Sequence, residues 1–350
     1  MSQVKFTDAI SRVLFDAMTR DEKTLLFGLG VADPKRVFGT TNGLLEAFGP
    51  ERVFDTPTSE NGMTGIAIGA ATMGYRPVMV HQRLDFFLLA MDQLVNNAAK
   101  WHYMFGGQGN VPLTLRLLLG RGWGQGPTHS QNLQSWFAHV PGLRVVMPST
   151  VENAYGLLWS SIFDPNPVVF LEHRWLHNQE GRLPEPGTAV PIGKAAIMRE
   201  GSDVTLVSMS YMVLEALKAA EFLKSFGISA EVVDLRTIAP LDWQTVTASV
   251  RKTGRMIAID TSTAEFSVTS EILAHVAQNH FSSLKAAPIK MGSPHAPVPT
   301  SVGLSEGFYP GAAEIAAASF KVLGISKVPN LESLRPERHD VPGAWFTGPF

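Results

Sequence analysis

The chain has 350 residues, 45% of them hydrophobic and 17% charged, with a formal net charge of -2 and no cysteine. That composition buries a core, offers no bulk charge to draw nucleic acid or anionic membrane, and excludes disulfides, thiol catalysis and cysteine-ligated metals. The length suits two domains. The low charged fraction points to surface covered by other subunits. Without a signal-like N-terminus or an 18-residue apolar run, a soluble cytoplasmic protein is expected.

Residues 5–20 place Phe6, Ile10, Val13, Leu14 and Met18 on one helical face. TLLFGLG (24–30) reads as a short buried strand ending in glycines, and GLLEAFG (43–49) as a helix closed by a turn. DTPTSENGMTGIAIGAA (55–71) reads as a turn, a carboxylate and a helix of small residues. Pro57 sets the turn; Thr58, Ser59 and Asn61 are capping types. Each glycine costs a helix roughly 1 kcal/mol. A helix carrying Gly62, Gly65 and Gly69 is therefore suited to close approach. Glu60 stands at its mouth, where a carboxylate gains from the dipole. Read alone, it is an ordinary first-turn cap.

RPVMVH (76–81) reads as a strand, and FFLLAMDQLVNNAAKWHYM (86–104), apolar nearly all round, as a buried helix. The strand VPLTLRLLL (111–119) runs into the glycine-rich loop GRGWGQGPTHSQ (120–131). This loop is neither a Walker sequence nor a dinucleotide fingerprint. His129 follows it near the carboxyl edge of the expected sheet, where α/β proteins bind ligands. A loop histidine satisfied by backbone is the equal alternative. A helix near 133–140, a strand at 141–148, a helix at 150–163 and a strand at 166–173 complete an alternating pattern. Such alternation is the signature of a parallel α/β sheet.

A Pro/Gly-rich linker is expected at 176–193. A second α/β unit follows over 194–325: strands near 203–210, 230–236, 255–260 and 287–292, and helices near 211–227, 241–252, 266–281 and 311–324. Residues 326–350 read as an extended tail, with Trp345 and Phe346 as docking points. The histidines lack metal-ligand spacing, and Ser130 beside His129 makes no triad. No Gly-Asp-Gly with a downstream Asn, a holder of magnesium diphosphate, occurs.

With DTPTSENG, MDQLVNNAAKWHYMFGGQ, THSQ, PGLRVVMPST, NPVVFLEH and VDLRTIAPLD in view, residues 4 to about 325 resemble a known family. It is the β subunits of the thiamine-diphosphate-dependent decarboxylating component of 2-oxo acid dehydrogenases, of pyruvate, branched-chain and acetoin types. More broadly, the chain resembles the pyrimidine-binding and C-terminal domains of transketolase. The resemblance implies two parallel-sheet three-layer α/β domains: a pyrimidine-binding domain over 1–175 and a transketolase C-terminal-like domain over 194–325. By matching position, Glu60 implies the glutamate bonded to the pyrimidine ring nitrogen of thiamine diphosphate, a general acid/base role. Phe86 matches an aromatic packed on that ring, and Gln82 a variable pocket-lining position. His129 matches a histidine that steadies substrate and assists acyl transfer. Some members hold a structural potassium ion at positions matching Leu113, Thr114, Ser161, Asp164 and Asn166. The family further implies an α subunit carrying the magnesium-diphosphate motif, an α2β2 tetramer and docking to a lipoyl acyltransferase core.

Several positions depart from the family. Leu29 stands where a glutamate is usual, Val80 replaces another, and His81 and Arg83 add polarity. Around 259–267 the usual glutamate and glycines are missing. Three readings follow. The first is a β subunit of a 2-oxo acid decarboxylase/dehydrogenase passing an acyl unit to lipoamide. The second is a split transketolase or acyloin-synthase-like carboligase passing a two-carbon unit to an aldehyde, ketone or sugar. The third is a non-catalytic paralogue kept for assembly.

Overall fold

The computed structural model describes residues 3–121 and 124–348. It divides into two compact units: Met1–Gly120, Trp136–Ile192 and Thr347–Phe350 form the first, and Arg121–Ser135 and Gly193–Phe346 the second.

The first unit opens with β1 (Gln3–Lys5) and α1 (Phe6–Arg20). α1 buries the predicted face and adds Ala9 and Ala17 to it, and the Lys5 N–H donates to Asp8 Oδ2 at 3.1 Å to hold its first turn. Then come β2 (Thr24–Gly28), α2 (Leu44–Phe48), β3 (Val53–Asp55) and α3 (Glu60–Thr72). β4 (Arg76–His81), α4 (Leu84–Phe87), α5 (Ala99–Met104), β5 (Thr114–Leu119) and α6 (Gln134–Ala138) follow, α6 beginning in the second unit. The run ends with β6 (Arg144–Val146), α7 (Val151–Ile162), β7 (Val168–His173) and β8 (Glu180–Arg182). Thr150 caps α7, its hydroxyl accepting the Asn153 N–H at 3.1 Å.

The main sheet of this unit runs β6-β7-β5-β4-β2-β3, and these pairings are all parallel. β5 and β7 are buried at every position, as near-continuous apolar runs covered on both faces should be. From β2 the chain steps outward to β3, then returns to lay β4 on the other side. The C-terminal ends of β2 and β4 are therefore the switch point, where open α/β sheets leave a crevice. Gly28 makes this junction possible. At φ +155 a Cβ there would lie 2.9 Å from the Val80 carbonyl carbon.

One buried ion pair crosses this sheet. Arg116 Nη2 on β5 donates to Glu172 Oε1 at 2.8 Å and Oε2 at 2.9 Å on β7, both residues having no exposure. Burial alone would raise the Glu172 pKa, but Arg116 and His177 overcome it and hold the carboxyl below its ordinary value.

The second unit contains β9 (Ala196–Arg199), β10 (Val204–Ser208), α8 (Met212–Lys224), β11 (Ala230–Asp234), β12 (Thr237–Ala239) and α9 (Trp243–Thr253). It continues with β13 (Met256–Thr263), α10 (Val268–His280), β14 (Ile289–Ser293), α11 (Val302–Ser305) and α12 (Ala312–Val322). Its sheet runs β14-β13-β10-β11-β9, parallel except for the antiparallel edge strand β9.

The structure departs from or adds to the expected elements in four places. The helix expected over 86–104 is broken into α4, a 3-10 turn (Leu88–Ala90), a π-helical stretch (Gln93–Ala98) and α5. Each change of pitch rotates the apolar side chains onto a new face, so Leu89 is 69% and Tyr103 90% exposed rather than buried. The linker expected at 176–193 carries β8, which pairs antiparallel with β1 and belongs to the first unit. Residues 121–135 make their contacts chiefly with the second unit. The tail is anchored: Arg335 pairs with Glu314 at 3.0 Å, and His339 Nε2 meets Ser305 Oγ at 3.0 Å. Phe346 is buried.

Glu172→Ala would leave the Arg116 guanidinium buried without its carboxylate. We expect a loss of about 3–5 kcal/mol in chemical denaturation, far more than an exposed ion pair would cost.

Candidate functional site

At the β2/β4 switch point, Leu29, Thr56, Pro57, Glu60, Met63, Met79, Val80 and His81 line a narrow crevice. β3 delivers the chain to Pro57, and α3 begins at Glu60. Ser59 occupies the N-cap position, as a capping type should, but its side chain makes no capping bond. α3 is fixed instead by packing on β4, where Thr64 Oγ1 donates to Met79 Sδ at 3.5 Å. Glu60 is 9% exposed, and among the described residues no hydrogen bond or ion pair holds its carboxylate. A nearly buried carboxylate among Leu, Met, Val and Pro side chains is costly unless a ligand donates to it.

His81 shares this cleft. It is 2% exposed, packs edge-on against Phe87 with ring centroids 5.0 Å apart, and leaves Nε2 without a partner among the described residues. Burial pushes its pKa down to about 4, so the imidazole is neutral at pH 7. Gln82 lies beside Gly30, whose missing Cβ would stand 3.3 Å from its Cδ. Phe86 is half-buried in α4.

The small-residue helix behaves as its glycines suggest. At Gly65 an added Cβ would meet Gln93 Oε1 of the π-helical stretch at 3.3 Å, so the two segments pack closely. Gly69 faces open space, and Ile66 and Met73 beside it are 59% and 77% exposed. The face prepared for close approach is thus only half used by this chain.

His129 belongs to the second unit, on the segment leading to α6. Thr128 Oγ1 lies 2.9 Å from its Nδ1. Gln134 anchors the segment: its Nε2 bonds Asp260 Oδ1 and, at 3.0 Å, Thr261 Oγ1 on β13. Burial raises the Asp260 pKa. Gly122 and Trp123 of the glycine-rich loop lie outside the described residues.

The positions matched to a potassium site gather at the opposite, N-terminal edge of the first sheet. The Leu113 carbonyl accepts the Val168 N–H at 2.9 Å, and the Ser161 carbonyl accepts that of Asp164 at 3.3 Å. Thr114 opens β5. Asp164 accepts from the Asn166 N–H at 2.9 Å and pairs with Arg144 at 3.1 Å. Among the described residues no three His, Cys, Asp or Glu side chains form a metal cluster, and no helix is long and apolar enough to cross a membrane.

Sequence reasoning missed the buried Arg116–Glu172 pair and the orphaned nitrogen of His81. The signal was present in both cases: a charged or polar residue inside a run of apolar strand residues.

Comparison with known proteins divides the chain by sequence at the segment between residues 179 and 193, leaving 121–135 within the first domain. Residues 2–179 match the transketolase pyrimidine-binding domain, and residues 193–315 the transketolase C-terminal domain. The chain is 42% identical over 325 residues, 90% of its length, to "Acetoin:2,6-dichlorophenolindophenol oxidoreductase subunit beta" of Cupriavidus necator, covering 96% of that protein. It is 42% identical over 324 residues, 91% of its length, to "Pyruvate dehydrogenase E1 component subunit beta-1, mitochondrial" of Arabidopsis thaliana, covering 89% of it. A solved structure of "Split gene transketolase, inactive beta4 tetramer" superposes with TM-score 0.75 at 20% identity, over 93% of this chain and 99% of that one.

The buried histidine makes the fold pH-sensitive in a defined direction. Between about pH 6.5 and 4 the unfolded chain binds a proton at position 81 that the folded chain refuses, so stability falls as pH falls through that window. His81→Phe should flatten this dependence, read as a smaller shift of the urea midpoint between pH 7 and pH 4.

Proposed function

The chain belongs to the family that joins a transketolase pyrimidine-binding domain to a transketolase C-terminal domain, and on that premise we propose that it is the β subunit of a heteromeric, thiamine-diphosphate-dependent 2-oxo acid dehydrogenase. The observation that carries the proposal is Glu60: a nearly buried carboxylate, unpartnered among the described residues, in a largely apolar crevice at the sheet's switch point.

That donor set fits an aminopyrimidine, which needs one acid/base group and apolar walls. Bound thiamine diphosphate supplies an acidic thiazolium carbon and an electron sink for the pair left when carbon dioxide departs. Glu60 holds or gives up a proton at the pyrimidine ring nitrogen and so sets the basicity of the amino group. Leu29, Met63 and Met79 keep water from that proton. Phe86 packs on the ring and Gln82 lines the pocket. His129 steadies the substrate and assists acyl transfer. In the net reaction a 2-oxo acid loses carbon dioxide, and its acyl carbon passes to one sulfur of lipoamide. The lipoamide disulfide is thereby reduced, and its second sulfur takes up a proton.

The chain lacks a magnesium-diphosphate motif, so the metal and diphosphate fall to an α subunit in an α2β2 assembly. The exposed apolar side chains Ile66, Met73, Leu89 and Tyr103 and the open space at Gly69 support such a partner against α3 and its neighbours. Docking to a lipoyl acyltransferase core and a structural potassium ion at Leu113, Thr114, Ser161, Asp164 and Asn166 complete the proposal. Arg144 already compensates Asp164, which leaves that ion mainly backbone carbonyls.

One observation favours the carboligase reading. His81 within the crevice and Arg83 two residues on bring polar groups that suit a polar acceptor other than lipoamide. Product identity separates the two.

With an α-type partner co-expressed, Glu60→Gln should cut thiamine-dependent carbon dioxide release from pyruvate by about 10²–10⁴-fold. The circular dichroism spectrum should stay unchanged. Turnover equal to the parent's would remove the proposal.

A further inference from the structure

Gln134 and Asp260 take no part in the chemistry assigned to Glu60, yet both are polar and fully buried. They meet within the second unit, at the end of the segment that carries His129. That segment is pinned to its unit at three points. At its start the Arg121 guanidinium carbon lies 5.3 Å from the centre of the Tyr211 ring and 4.6 Å from that of Tyr309. Gly126, at φ +71, passes beside Thr300, whose Cβ would stand 3.6 Å from an added Cβ. At its end Gln134 bonds β13, and α6 starts from that residue. His129 stands between the second and third of these points.

The Gln134 amide nitrogen uses both of its N–H groups, donating to Asp260 Oδ1 and, at 3.0 Å, to Thr261 Oγ1. That fixes which way round the amide lies. Asp260 Oδ1 accepts a second donor, the Ser262 N–H, at 3.2 Å. Two atoms remain without a partner among the described residues: Gln134 Oε1 and Asp260 Oδ2. Each is the twin of an atom that already joins these two residues. With the carboxyl ionised both are acceptors, and neither can satisfy the other. Two unpaired buried acceptors are costly. A single proton on Oδ2 removes both defects, because acid and amide then match as planar partners. The N–H donates to Oδ1 one way, and the O–H donates to Oε1 the other.

Electrostatics points the same way. Glu172 is equally buried, but Arg116 and His177 keep it ionised. Asp260 accepts only from the amide of Gln134 and the backbone of Ser262. Burial raises its pKa, and the opposing groups, Ser262, Gln134 and Thr261, are uncharged.

We propose that Asp260 is held as the neutral acid and closes a two-bond acid–amide pair with Gln134, a positioning pair that seats the His129 segment on β13. Two bonds between planar groups fix rotation as well as distance, which one bond from a long side chain does not. The effect on the reaction rests on the role given to His129; the pair itself does not.

Infrared difference spectroscopy of the full-length chain tests the pair. At neutral pH, parent minus Asp260→Asn should show the carbonyl band of a protonated carboxylic acid, displaced in deuterium oxide. Absence of that band overturns the proposal. Asparagine keeps the carbonyl and offers Oε1 an N–H, so this variant should melt with the parent. Should it fail to fold, carbon-13 resonances of an aspartate-labelled parent decide the matter: an acid carboxyl must persist at neutral pH, and its absence overturns the pair. Exchange of the partners is the second test. Gln134→Glu alone sets one carboxyl against another and should lower the melting temperature. Gln134→Glu combined with Asp260→Asn rebuilds an acid–amide pair and should restore it. A double variant no more stable than Gln134→Glu overturns the pairing. In the enzyme assembled with its α partner, Gln134→Ala should lower kcat by about tenfold at unchanged affinity for thiamine diphosphate, and the exchanged pair should recover it. A kcat equal to the parent's overturns the positioning role. If the acid band is present while no thiamine-dependent turnover exists, the dehydrogenase reading falls and the pair stands.

Discussion

The close approach of β2 and β4 at Gly28 is the constraint on which the first unit depends. No side chain fits between that α-carbon and the Val80 carbonyl. Because the strands can close there, the chain runs outward to β3 and back, and their C-terminal ends form a crevice. β3 then aims Pro57 and Glu60 into it, while β4 supplies Met79, Val80 and His81 as its other wall. Glu60 is thus positioned by topology and by a missing methyl group, without a hydrogen bond among the described residues to hold it.

Along the same edge, electrostatic character changes over a few residues. The Glu60 cleft is apolar, and burial keeps His81 neutral. Beyond it, Arg83 follows β4 and the buried Arg174 follows β7. Neutral His81 lines the same crevice as Glu60 and so brings no charge to that carboxylate. The buried Arg116–Glu172 pair is different: each charge faces its opposite, and the bonds tie β5 to β7.

Much of this was legible in the sequence. Alternating strands and helices announced parallel sheets, and the small-residue helix with Glu60 at its mouth announced a place of close approach. The helix over 86–104 was misjudged because an all-apolar segment reads as buried whether its cover comes from its own chain or from another. Short edge elements such as β1, β8 and β9 carry too few residues to show a period. The grouping of 121–135 with the second unit was invisible for a different reason: it depends on contacts such as Gln134 with Asp260, more than a hundred residues apart. No local pattern encodes such a contact.

That last grouping bears on how such chains can be inherited and rearranged. The second unit is assembled from two stretches of chain, one of them a short excursion between β5 and α6. Arg121 stacks on Tyr309, Gly126 abuts Thr300, and Gln134 bonds Asp260. A recombination breakpoint near residue 193 would separate the excursion carrying His129 from the sheet whose partners hold it. Exchange of the C-terminal portion between relatives is therefore compatible only where the excursion travels with it or where both parents share these anchoring residues.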